Sequence, residues 1–194
     1  KICVITGATS GVGLAALQRL AEGGANIVMV CRNLAKAEKI KTEITALNQV
    51  RIEIVIADFS SLAEVRAAAE IIKKAHPVID VLINSAGIHS TKRTYNKEGL
   101  EMVFCVNHLA TFLFTELLFE QIKASEQGRI IQVNSEGHRF NGLRIDDLNW
   151  QKRIYTGLRS YGAAKTAQLL TVCEFAERLQ ESRATINAMH PGDV

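Results

Sequence analysis

Proline is almost missing from this chain of 194 residues, which holds two, so neither a proline-rich linker nor a collagen-like repeat fits. Cysteine is sparse and scattered. Cys3, Cys31, Cys105 and Cys173 share no short spacing, and a chain of this size folds without covalent staples, so they read as reduced, mostly buried thiols. The five histidines form neither an H-E-x-x-H pattern nor a Cys/His cluster, and no metal is expected. Neither sign of charge dominates: 23 basic residues stand against 20 acidic ones without a Lys/Arg run, which gives no electrostatic reason to expect nucleic-acid binding. The most apolar stretch, residues 109–119, is interrupted by Glu116 and is too short to span a bilayer, so no membrane segment is expected in these residues. Apolar residues, at 47%, are what the chain has in quantity, enough to build one globular core.

Short β-branched runs alternate with longer amphipathic segments from end to end. Strands are expected at 2–6, 27–30, 51–57, 81–83, 129–133 and 184–188, and helices at 11–22, 34–47, 62–75, 100–124 and 160–181. Ser60 is the expected N-cap of the third helix, which Pro77 stops. Six nearly continuous apolar strands separated by helices imply a parallel sheet covered on both faces, a doubly wound three-layer α/β/α fold of the Rossmann type in a single domain. In such sheets ligands bind beyond the carboxyl ends of the strands, and the longest irregular stretches, 87–98 and 137–158, both follow strands.

Directly after the first strand stands Thr6-Gly7-Ala8-Thr9-Ser10-Gly11-Val12-Gly13, leading into the first helix. Glycines there permit a tight turn and let a pyrophosphate approach the N–H groups at the helix N-terminus, where the dipole favours an anion. The second strand ends in Val30-Cys31-Arg32-Asn33 with no carboxylate. A guanidinium there suits a 2′-phosphate, so NADP(H) is expected in preference to NAD(H), with Ser10 as a further donor. Later come Asp58 and Phe59 after the third strand, Asn84-Ser85-Ala86-Gly87 after the fourth, Val106-Asn107-His108, Asn134-Ser135 after the fifth, Tyr161-Gly-Ala-Ala-Lys165 and His190-Pro191-Gly192. In Tyr161 and Lys165, at i and i+4 on one helix face, the ammonium favours the phenolate form and brings the phenol toward general acid/base work.

These motifs in this order resemble the short-chain dehydrogenase/reductase family, and Cys31-Arg32-Asn33, Asp146-Asp147-Leu148-Asn149 and Ala188 to Gly192 are most similar to its retinol dehydrogenase and protochlorophyllide reductase-like branch. The resemblance implies hydride transfer between nicotinamide and a carbonyl or alcohol. Tyr161 would be the acid/base, Lys165 the group that lowers its pKa and binds the nicotinamide ribose, Ser135 the oxyanion donor, and Asn107 the holder of a relay water. It implies cofactor contacts from Gly7, Thr9, Ser10, Gly11, Val12, Gly13, Arg32, Asp58, Phe59, Asn84, Ala86, Gly87, Pro191 and Gly192 as well as from Tyr161 and Lys165. Asp58 is read either as the adenine contact or as part of a helix cap. His108 and His138 are read as packing or surface residues. Two departures from the family pattern stand out, Ser85 for asparagine and Asn134 for serine. The implied partner is a small carbonyl or alcohol, the setting cytoplasmic, and the assembly a homodimer or homotetramer through the helices at 100–124 and 160–181. The chain starts at Lys1 beside an apolar strand and stops at Val194, so both ends read as cut, with a seventh strand and substrate lobe expected beyond. A nucleotide-binding regulator without turnover is the alternative, and intact Ser135, Tyr161 and Lys165 argue against it. A sugar-nucleotide epimerase would favour G-x-x-G-x-x-G in the first turn.

Overall fold

The computed structural model describes residues 1–140 and 142–192. Six parallel strands, β1 (Ile2–Thr6), β2 (Asn26–Cys31), β3 (Ile52–Ile56), β4 (Val81–Asn84), β5 (Arg129–Val133) and β6 (Thr185–Met189), form one sheet in the order β3-β2-β1-β4-β5-β6. Alternate residues of a strand face opposite sides, so Val4 joins one core and its neighbour Ile5 the other. Helices α1 (Gly11–Glu22) and α2 (Leu34–Leu47) bury Leu17, Ile40 and Ile44 against the Ile5 side. On the Val4 side lie α3 (Leu62–Ala75), α5 (Ala110–Lys123) and α6 (Gly157–Arg178), with Ile72, Phe114 and Phe175 in the core. This is the doubly wound three-layer fold expected from the alternation of apolar runs. The strand order reverses between β1 and β4, which opens a crevice at their carboxyl ends.

Several boundaries differ from the sequence expectation for identifiable reasons. Ser61, not Ser60, caps α3 by accepting from the Glu64 N–H at 3.3 Å, while Ser60 belongs to the preceding turn, its N–H donating to Asp58 Oδ1 at 2.8 Å. Helix α6 begins three residues early, where the Thr156 hydroxyl accepts from the Arg159 N–H. The helix expected at 100–124 runs from Met102 to Lys123 in three parts: α4 (Met102–Phe104), a π-helical turn (Cys105–Leu109) and α5. By length and composition this run could cross a membrane; in the fold most of it is buried as a core helix. The segment 137–158 is partly ordered into 3₁₀ turns at Glu136–Phe140 and Ile145–Asp147. It carries buried Trp150, on whose ring the Arg153 guanidinium stacks at 3.6 Å. All four cysteines are free, and Cys173 is exposed.

One buried hydroxyl ties the two strands that flank the crevice. Thr6 Oγ1 accepts from the N–H groups of Ser85 and Ala86 at 3.1 and 3.0 Å. Replacing it by isosteric valine leaves both donors without that acceptor. Thr6→Val is therefore expected to lower unfolding stability by about 1–3 kcal/mol in urea titrations, whereas Thr6→Ser should lose less than half as much. Equal losses in the two variants would show that the methyl, not the hydroxyl, matters.

Candidate active site

A cleft of about 1210 Å³ lies along the carboxyl edge of the sheet and crosses the point where the strand order reverses. Its first wall is the β1–α1 turn. Gly7 and Gly11 have φ of +68° and +52°, values that favour glycine, and a Cβ on Gly7 would fall 2.8 Å from the Ala86 backbone. At Gly13 a Cβ would fall 2.5 Å from the Gly7 carbonyl, so that glycine serves close packing of helix on strand. Ser10 is the N-cap of α1, yet its side chain makes no capping bond and stays exposed. The α1 N-terminus thus presents N–H groups and a hydroxyl to the cleft, a setting that suits an anion.

At the end of β2 two exposed cations, Arg32 and Lys36, line the cleft and make no ion pair among the described residues. Lys36 was not singled out from the sequence, although its position carries a signal. It lies in the first turn of α2, where the helix dipole disfavours a cation, and Asn33 caps that turn by accepting from its N–H at 2.9 Å. Asp58 lines the cleft too, while its carboxylate accepts from Ser60 N–H, so the structure shows its turn-capping role directly. Phe59 borders the cleft with its ring packed edge-on against Phe114, centroids 5.5 Å apart.

The opposite end is built by β5, the 3₁₀ turn after it and α6. Ser135 is fixed three ways. Its N–H donates to Asn134 Oδ1 at 2.7 Å, its Oγ accepts from the Gly137 N–H at 3.1 Å, and its carbonyl lies 2.7 Å from His138 Nδ1. A carbonyl only accepts, so Nδ1 carries the proton, and His138 is a clasp on Ser135 rather than the plain packing or surface residue expected. The Ser135 hydroxyl keeps its own hydrogen for donation. The Tyr161 ring rests against Gly137, and His89, absent from the sequence-based candidates, meets its other side edge-on with centroids 5.7 Å apart. Lys165, 4% exposed, places Nζ 5.5 Å from the Tyr161 ring centre and donates to the Val133 carbonyl at 2.8 Å. Burial lowers its pKa to about 8, because water no longer solvates the ammonium.

Three expected site residues do not line the cleft. Gly13 packs beneath the turn, as above. Asn84, the last residue of β4, is buried and donates to Thr115 Oγ1 of α5 at 2.9 Å. Asn107 is buried in the π turn, and its side chain is spent on the Ile88 backbone: Oδ1 accepts from the N–H at 2.8 Å and Nδ2 donates to the carbonyl at 2.9 Å. The other expected residues, Thr9, Val12, Ala86, Gly87, Pro191 and Gly192 among them, do line it. His108 packs between Phe104 and Phe112, and burial lowers its pKa to about 4, so it is a neutral packing residue as expected.

A parallel sheet with a glycine-built anion cradle at its switch point, and a tyrosine and buried lysine one helical turn apart across the cleft, defines a dinucleotide-binding class of α/β protein. A family model described as short chain dehydrogenase matches residues 1–145, and the chain belongs to the short-chain dehydrogenase family. It is 38% identical to human retinol dehydrogenase 13 (Homo sapiens) over 99% of its length, and 37% identical to retinol dehydrogenase 12 of Mus musculus over all of it. It spans 58% and 61% of those proteins. Among solved structures, an uncharacterised protein from Mycobacterium Paratuberculosis superposes with a TM-score of 0.88 at 32% identity, over 99% of this chain and 68% of that one. The fold is shared with a metagenomic short-chain oxidoreductase crystallised with NADP, at a TM-score of 0.80 and 24% identity, over 100% of this chain and 82% of that one.

A Cβ at residue 137 would fall 2.9 Å from two carbons of the Tyr161 ring. Gly137→Ala is therefore expected to cost about 1–3 kcal/mol of stability and to push the ring off its place. Gly23→Ala, where a Cβ meets nothing nearer than 3.5 Å, is the control. Equal unfolding midpoints for the two variants would contradict the contact.

Proposed function

We propose that the chain is the cofactor-binding and catalytic part of an NADP(H)-dependent oxidoreductase that acts on a carbonyl or a primary or secondary alcohol of a small molecule. The observation that carries the reading is that Ser135, Tyr161 and Lys165 wall the same cleft as the glycine-built cradle of β1–α1. The residues fit the cofactor. The α1 N-terminus with Gly7, Gly11 and Ser10 suits a pyrophosphate. Arg32 and Lys36, with no paired carboxylate, suit a 2′-phosphate. Asp58, Ala86, Gly87, Pro191 and Gly192 line the length between. Bound there, nicotinamide supplies or accepts the hydride.

In the reductive direction Tyr161 gives its phenolic proton to the substrate oxygen, and the Ser135 hydroxyl donates to that oxygen as charge develops on it. Lys165, with a pKa of about 8, is mostly cationic at neutral pH and stabilises the phenolate that results. Asn107 enters through its backbone carbonyl, since its side chain holds the Ile88 segment. Ile88, Met102 and Leu158 give the cleft apolar lining, and similarity to retinol dehydrogenases supports an apolar alcohol or aldehyde. A homodimer or homotetramer through α5 and α6 belongs to the same proposal, supported by the exposure of Phe112 and Leu170. So does a cytoplasmic setting, supported by the unpaired thiols.

Tyr161→Phe is expected to lower NADPH-dependent reduction of aldehydes and ketones by about 100-fold or more, with NADPH affinity within about threefold of wild type. Unchanged turnover would remove Tyr161 from the reaction. The Arg32→Ala, Lys36→Ala pair should weaken NADPH binding roughly 10- to 100-fold in fluorescence titrations and leave NADH nearly unaffected. Parallel losses for both nucleotides would contradict the 2′-phosphate assignment.

A further inference from the structure

Behind Lys165 the interior is polar, uncharged and closed. Gln168, one turn further along α6 and 1% exposed, meets four groups from three segments of chain: β5 with its end, the π turn and its own helix. Its Oε1 accepts from Asn134 Nδ2 at 2.9 Å and, at a longer 3.4 Å, from Lys165 Nζ. Its Nε2 faces two acceptors, Gln132 Oε1 at 3.2 Å and the Asn107 carbonyl at 3.4 Å. Donors on one side and acceptors on the other leave a single amide orientation that satisfies all four, since a flip would turn the NH₂ group on the ammonium. Asn134, where the family pattern has serine, completes the arrangement. It donates to Gln168 and to the Lys165 carbonyl while its Oδ1 holds the Ser135 N–H.

From this geometry, and on the reading of the site given above, we propose that Gln168 is a positioning residue of the reaction. Its amide joins the Lys165 ammonium to the π-turn carbonyl of Asn107, and through Asn134 it couples the placement of Lys165 to that of Ser135. A methylene chain of this length would fill the space but leave Lys165 with the Val133 carbonyl alone. A carboxylate would bond the lysine and oppose the two acceptors. Among the described residues Tyr161 is the ionisable group whose ring Lys165 faces. Among the described residues, the other titratable groups on segments near it, His89, Glu101, His108, Glu136, His138 and His190, make no hydrogen bond or ion pair with the ammonium, whose bonds go to Val133 and Gln168.

The test compares Gln168→Leu and Gln168→Glu with wild type by two readouts, the steady-state kinetics with NADPH and the titration of isotopically labelled Lys165 followed by NMR. Leucine is expected to lower kcat about tenfold while KM for NADPH changes less than threefold. The lysine titration should move down by roughly half a pH unit or more in Gln168→Leu and up by roughly one in Gln168→Glu, and the pH profile of turnover should follow it. A packing role alone would leave the titration where it was. Folded variants in which the lysine titrates as in wild type and kcat stays within twofold overturn the proposal. If leucine prevents folding, Gln168→Glu decides alone. If the wild-type protein turns over no carbonyl substrate, the functional reading fails, and the lysine titration still decides whether Gln168 sets the state of Lys165.

Discussion

A single ammonium group is buried at the centre of this site, and among the described residues no carboxylate pairs with it. Lys165 has given up water for the Val133 carbonyl, a long bond to Gln168 and a place over the Tyr161 ring, and its lowered pKa follows from that loss of water around the charged form. The surrounding structure answers this one constraint. Strand β5 must end where its last carbonyl can receive Nζ, helix α6 must present residues 161 and 165 on the cleft side, and the interior behind must be polar but neutral. Asn134, Gln132, Gln168, Asn107 and Thr115 supply that interior, all of them buried. An acid in their place would neutralise the lysine in an ion pair and remove its influence on the phenol.

The same economy governs the approach of the elements to one another. Ser135 and Tyr161 come together because residue 137 has no side chain, and the nucleotide end of the cleft forms because residues 7 and 13 have none. Where backbone comes that close, hydroxyls and amides take over the bonding: Thr6 between β1 and the end of β4, Asn107 between the π turn and Ile88. The π turn follows from this placement, since wide turns of this kind recur where a helix must bring a backbone group to a functional site.

Much of this was legible in the sequence. The β-branched runs and the glycine-rich turn specify the sheet and its switch point, and Ser135, Tyr161, Lys165 and Arg32 all stand on the cleft wall, where the family resemblance implies them. What could not be read depends on contacts between distant segments. His89 meets Tyr161 across more than seventy residues, and Gln168 matters only because β5 and the π turn converge on it. Asn84 and Asn107 were assigned to the cleft by their motifs, and the fold spends their side chains on helix α5 and on the Ile88 segment instead. Lys36 was legible in principle as a cation on the wrong end of a helix. The cap of α3 was misplaced by one residue because two adjacent serines are equivalent candidates in the sequence, and only the fold shows that Ser60 lies in the Asp58 turn and Ser61 at the cap.

The claim on which all this rests is that Lys165 is buried as an unpaired cation, and the unfolding free energy of wild type against Lys165→Met as a function of pH tests it most directly. A lysine whose pKa is about 8 in the folded state and 10.5 in the free side chain binds fewer protons folded than unfolded between those values. Stability should therefore rise with pH across that window in wild type relative to the variant, by up to about 3 kcal/mol, and the difference should be flat below pH 7. A difference that stays constant from pH 7 to 10.5, or that shifts in favour of Lys165→Met as pH rises, would contradict the account.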